Sequence, residues 1–248
     1  MTDRFSQIGF SQRIRLEWLE QTANLVLAGN DAQAIEASLQ TLLADKLSVG
    51  GQAVRGNRDK AISILMKIWV RSPRDLRLLN QRGLVLISQL PHDRRIALHW
   101  GMTMAVYPFW GAVAEQVGRL LKLQNTLVPR QVQRRLRERY GERETVARAA
   151  RRVLRSFVDW GVLQDKSKGV YIQGDTFAIQ QPELIAWLTE AYLFAQPNGA
   201  ASTREILNSP SLFPFHLAPL SADTIVARSS HLELLRHGLD DELIMLRQ

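Results

Sequence analysis

The sequence predicts a mainly α-helical chain: a helical N-terminal bundle, a central module of two helices and a hairpin, and a small α+β C-terminal unit that closes on a β-hairpin. Three observations lead there. Before Gly161, apolar residues recur at spacings of three and four, the period of one helix face. After Gly161 the apolar runs become short and rich in Val, Leu, Tyr and Ile, the habit of strands. Glycine and proline break the pattern between elements, and the change of pattern divides the chain into 1–107, 108–175 and 176–248. With 248 residues, 46% of them hydrophobic, a substantial core can be buried.

Taken in order, Ser11 to Ala28 reads as a first helix through Ile14, Trp18, Ala23, Leu25 and Val26, stopped by Gly29-Asn30. Asp31 caps a second, which runs to about Leu47, and the glycine-rich link Ser48 to Gly56 separates it from a third over Arg58 to Arg71. Ser72-Pro73 ends that helix and opens a fourth, which stops at Leu90-Pro91. A fifth spans Asp93 to Val106, and Pro108 starts a sixth that continues to Leu123. Helices over Pro129 to Tyr140 and Thr145 to Trp160 follow, and then a hairpin over Gly161 to Gln173, turning at Asp165 to Gly169. A helix over Pro182 to Ala195, the capping box Ser202-Thr203-Arg204-Glu205, a helical turn from Ser221, and strands Leu232 to Arg236 and Glu242 to Arg247 complete the chain. The order over 182–247 echoes that over 108–173, so the C-terminal unit is a candidate second, less basic copy of the same plan.

The net charge is +8, and Arg130 to Arg155 supplies seven of those charges with ten arginines against three glutamates. A polyanionic partner is implied. On the helix Thr145 to Trp160, Val146, Ala150, Val153, Phe157 and Trp160 share one face, and Arg148, Arg151, Arg152 and Arg155 lie about half a turn away. On the preceding helix, Val132, Leu136 and Tyr140 make the buried line and Arg130, Arg134 and Arg137 the outer one. Lys166 and Lys168 tip the hairpin. Two short helices and a basic hairpin match the order of a winged helix-turn-helix, whose second helix enters the major groove while hairpin cations reach the adjacent backbone. If about six of these cations each neutralise a phosphate, binding falls with salt at a log–log slope of about −5. Double-stranded DNA is the expected partner. The alternatives are an acidic protein docked on the same face, as in a scaffold or adaptor, and RNA. A second basic cluster, Arg55, Arg58, Lys60, Lys67, Arg71, Arg74 and Arg77, either extends the footprint or is an ordinary helix surface.

Other chemistries find little footing. The absence of cysteine removes disulfides, thiolate metal sites and cysteine nucleophiles. The histidines at 92, 99, 216, 231 and 237 have no metal-ligand spacing, and His99 beside Trp100 reads as a packed core residue. Asp240, Asp241 and Glu242 read as turn formers, and no phosphate-binding glycine loop, nucleophile elbow or carboxylate pair stands out, so no cofactor, metal or enzymatic activity is expected. The tryptophans at 18, 69, 100, 110, 160 and 187 are expected as core anchors, and Trp100 to Trp110 as a buried helix pair. No apolar run approaches membrane-spanning length and Met1 to Phe10 is unlike a signal peptide, so the expected location is the cytoplasm, away from membranes.

Leu127 to Gln173 resembles the winged-helix superfamily through Val132, Leu136, Val153, Phe157, Gly161, Val162, Leu163 and Val170, about a fifth of the chain. The whole layout, with TMAVYPFWGAVAEQVGRLL (Thr103 to Leu121) before the central module and LELLRHGLDDELIML (Leu232 to Leu246) at the end, is similar to the BrxA-like proteins of bacterial BREX phage-defence clusters. That resemblance implies a DNA-binding accessory component that works beside other proteins of a defence or regulatory complex. It assigns no functional residues.

Overall fold

The computed structural model describes residues 4–47, 56–167, 169–237 and 241–247, and helices dominate it. The N-terminal bundle comprises α1 (Leu16–Leu27), α2 (Ala32–Leu42), α3 (Asn57–Trp69), α4 (Arg77–Gln89) and α5 (Ile96–Val106), followed by α6 (Pro108–Gln124). Their ends are built from the residues that local chemistry favours. The Asp31 carboxylate accepts the backbone N–H groups of Gln33 and Ala34, which the first turn of α2 would otherwise leave unpaired. Pro108 sits in the first turn of α6, where no N–H is missed, and Asn125 closes that helix in the left-handed conformation at φ 59°. Every residue of α5 is buried, as a helix apolar on all sides must be.

The first helix begins at Leu16, five residues later than its apolar spacing suggests. Residues 10–15 are non-helical and irregularly extended instead, with a bend at Gln12 and with Phe10, Gln12 and Ile14 turned inward. The cause is tertiary. The Ile14 N–H donates to Ser156 Oγ (2.9 Å) and the Ile14 carbonyl accepts the Trp160 indole N–H (3.0 Å), so both backbone groups are satisfied without a helix.

Beyond α6 come β1 (Thr126–Leu127), α7 (Pro129–Tyr140), α8 (Glu144–Asp159), β2 (Leu163–Ser167) and β3 (Val170–Gln173). The last segment contains β4 (Phe177–Ile179), α9 (Pro182–Phe194), β5 (Ala200–Ser202), α10 (Thr203–Leu207), β6 (Phe215–Leu217), α11 (Ala222–Val226), β7 (Leu232–His237) and β8 (Asp241–Leu246). Two antiparallel sheets have the orders β1-β3-β2 and β5-β8-β7. The succession α6–β1–α7–α8–β2–β3 recurs as α9–β5–α10–α11–β7–β8 with β6 inserted between α10 and α11, and the last strand is central in both sheets. β4, which precedes α9, pairs in parallel with the inserted β6, bringing Phe177 opposite Phe215. Lys168 and residues 48–55 and 238–240, which include Arg55 and the tip of the C-terminal hairpin, lie outside the described residues.

An aromatic cluster joins these parts. Trp100 of α5 stacks on Phe157 of α8 at 4.8 Å and meets Trp110, Trp160, Phe213 and Phe215 edge-on, each such pair adding about 1 kcal/mol beyond simple burial. The Trp100 indole N–H donates to the Ser211 carbonyl (3.0 Å). All six tryptophans are buried, as expected of core anchors. Glu190 of α9, also buried, is neutralised by Arg82 of α4.

Candidate nucleic-acid interface

The α8 sequence separates its faces sharply. Val146, Ala150, Val153 and Phe157 are fully buried, and Ala147, Ala149, Leu154 and Ser156 widen that face. Arg148, Arg151 and Arg155 are exposed on the opposite side. Glu144, in the first turn where the helix dipole favours an anion, pairs with Arg151 (2.9 Å) and, four residues on, with Arg148 (3.7 Å).

Arg152 behaves differently. It is half-buried and donates to Gln12 Oε1 (2.7 Å), while Gln12 Nε2 donates to Asn57 Oδ1 (2.9 Å). Arg13 forks onto Asp159 at the end of α8. The extended N-terminal segment thus lies along one flank of α8, and the arginine face becomes one side of a cleft of about 350 Å³. The cleft is lined by Arg13, Arg15, Lys46, Arg148, Arg151, Arg152 and Arg155, together with Gln12, Trp18, Leu47 and Asn57. No carboxylate appears in that lining among the described residues; Glu17, Glu144 and Asp159 pair with its cations from the rim. Arg152 and Arg155 make no ion pair among the described residues. Burial, and then the neighbouring Arg155, Arg148 and Arg151, push the Arg152 guanidinium below its ordinary pKa. Crowded like charges of this kind favour an incoming anion.

The structure brings together the four α8 arginines but not the rest of the expected set. Arg130 and Arg134 are exposed on α7 and Arg137 is half-buried, and none of the three lines the cleft. Lys166 is exposed on β2 and lines a separate groove of about 720 Å³ with Lys122 and His216. Lys168 falls outside the described residues. The described members of the second basic cluster disperse: Arg58 donates to the Ala44 and Leu47 carbonyls beyond the end of α2, Arg71 pairs with Glu36, and Lys67 packs over the Tyr107 ring at 5.0 Å. Burial, and then Arg4, push the Lys67 pKa down. Arg74 and Arg77 are exposed and line neither cleft, and among the described residues of this cluster only Lys60 reaches the α8 region, in a second cleft beside Arg148 and Arg152.

Arg13 and Arg15 are absent from the expected set because the apolar spacing over 11–28 also fits one continuous helix, and Lys46 because it falls at the end of the expected second helix, away from any basic cluster. The alternation Phe10, Gln12, Ile14 against Ser11, Arg13, Arg15 is the period-two signal that marks the extended segment. His99 is a core residue, as expected: the Trp69 indole N–H donates to its Nδ1 (3.1 Å), leaving Nε2 to donate to Glu20 (2.8 Å). Among the described residues no group of His, Asp or Glu side chains is arranged to hold a metal ion, and no helix is long and apolar enough to cross a membrane.

No family model, curated protein or solved structure matches this chain. Its function is therefore read from the geometry of the cleft and the chemistry of the side chains that line it.

Proposed function

We propose that this chain is a non-enzymatic DNA-binding protein in which residues 108–175 form a winged helix-turn-helix, with α8 as the recognition helix. The observation that carries this is the arginine face of α8, four guanidinium groups beside one another, two of them lacking a carboxylate partner among the described residues. Arginine forks suit both phosphate oxygens and the O6 and N7 edge of guanine. The strand order β1-β3-β2 around α7 and α8 supports the winged-helix reading, because it sets the β2–β3 hairpin, with Lys166, directly after the recognition helix. In this reading Arg130, Arg134 and Arg137 of α7 serve backbone contacts outside the cleft.

Binding of the purified protein to a DNA duplex and to an RNA of equal length, measured by fluorescence anisotropy with excess of the other as competitor, tests the assignment. Preferential retention of the duplex is the expected result. Preference for RNA would reassign the module, and failure to bind either at low salt would leave the basic face to an acidic protein partner. The resemblance of the whole-chain layout to the BrxA-like proteins is the ground for extending the proposal to an accessory role in phage defence. Loss of phage resistance on deleting the gene in its native host, restored by the wild-type chain but not by one lacking the α8 arginines, is the matching test.

A further inference from the structure

The cleft beside α8 has an opposite wall, contributed by parts of the chain far from the winged-helix module. Arg13 and Arg15 come from the extended segment, Lys46 from the residues after α2, and Trp18 from the first turn of α1. A second cleft of about 420 Å³ adjoins the first, sharing Gln12, Asn57, Arg148 and Arg152 with it. The shared side chains stand between the two clefts, with the Arg152–Gln12 and Gln12–Asn57 hydrogen bonds at their boundary.

Not all of the wall's cations are equally free. Arg13 is committed to Asp159 and holds the segment against α8. Arg15 and Lys46 share a single carboxylate, Glu17, at 3.5 and 3.6 Å, and all three side chains are substantially exposed. Exposed pairs of this length stabilise little, so both cations exchange readily onto a stronger anion. Arg15 also lies over the Trp18 ring at 5.7 Å, which keeps its guanidinium at the lip of the cleft.

Building on the DNA-binding reading above, we propose that Arg15 and Lys46 form a second phosphate-binding wall, so that the sugar–phosphate backbone of one DNA strand lies between the N-terminal segment and α8. A phosphodiester chain suits this place because it is a continuous row of monoanions, and two cationic walls facing across a groove can each neutralise part of that row. Gln12 positions Arg152 between the walls and does not itself supply charge.

The test is the salt dependence of duplex binding by Arg15→Ala/Lys46→Ala, beside the wild type and Arg148→Ala/Arg151→Ala/Arg155→Ala. The Arg13–Asp159 and Gln12–Asn57 hydrogen bonds are untouched in the double variant, and an unchanged circular-dichroism spectrum and thermal midpoint establish its fold. Each phosphate that the protein no longer neutralises makes the log–log slope shallower by about 0.9, so the double variant is expected to be shallower by about 2 and Lys46→Ala alone by about 1. A wild-type slope in the double variant, with a shallower one in the α8 variant, would overturn the second wall and leave the recognition helix standing. A wild type that ignores duplex DNA at low salt would overturn both.

Discussion

Arg152 and His99 show how far a single residue's role depends on neighbours that sequence spacing does not reveal. The helical period puts Arg152 beside Arg148, Arg151 and Arg155, correctly; it does not reveal that Gln12, far away in the chain, holds its guanidinium at the cleft wall. The core role of His99 was legible because a histidine beside tryptophan in an apolar helix has few other uses, but its partners come from two other helices. Arg95 donates to Glu20 (2.5 Å), and although burial alone would raise the Glu20 pKa, the bonds from His99 and Arg95 hold it at about 2. Burial, with the Glu20 bond as partial compensation, lowers the His99 pKa below its ordinary 6.5, and the Trp69 donor leaves no place for a second ring hydrogen. The unfolded chain therefore takes up a proton at His99 at higher pH than the folded one, so stability falls as pH drops below about 6.5. Glu20 acts in the same sense at lower pH, its contribution being present above its ordinary value and lost as pH falls toward about 2. Thermal midpoints measured from pH 7 to 5 are expected to decline in the wild type and to be flatter in His99→Gln; equal slopes would remove His99 from the account. His99→Ala leaves the Trp69 N–H and Glu20 without a partner in the core and is expected to cost about 2–4 kcal/mol in denaturant titrations.

At the scale of elements, the longer helices were legible because each buries an apolar stripe at the helical period and ends at proline, glycine or a capping side chain. The hairpins β2–β3 and β7–β8 were legible for the corresponding strand reasons. What escaped were β1, β4, β5 and β6, each only two or three residues long and so too short to show an alternation. Their pairing depends on strands elsewhere in the chain. The extended segment 10–15 escaped because its apolar residues also fit a helix, and its bonds to α8 decided between the two. That segment is expected to be an integral part of the fold: Phe10 is fully buried against Tyr107 and Trp110, and Phe10→Ala should cost about 3–5 kcal/mol, read as a lower denaturant midpoint at an unchanged slope. A change under 1 kcal/mol would mean that the segment merely rests on the surface.

On the scale of the whole molecule, the repeated succession of elements was visible in the sequence only as an echo, because the two units share a plan of turns and apolar runs and differ in charge. Their close apposition was not visible at all. A β-carbon at Gly118 of α6 would run into the Pro210 carbonyl, which makes glycine the residue that lets the first unit meet the second. Gly118→Ala is expected to destabilise by at least 1–3 kcal/mol, the usual cost of overpacking, and a neutral result would show that the contact yields easily. The central claim concerns the surface that this assembly presents. Duplex DNA affinity across a salt series, for the wild type and for Arg148→Ala/Arg151→Ala/Arg155→Ala, tests it most directly. A steep wild-type slope, of magnitude about 5 or more, made shallower by about 3 in a variant that remains folded, is the expected result. Duplex binding of equal strength and equal salt dependence in the two proteins would contradict the assignment of α8 as the DNA-binding helix.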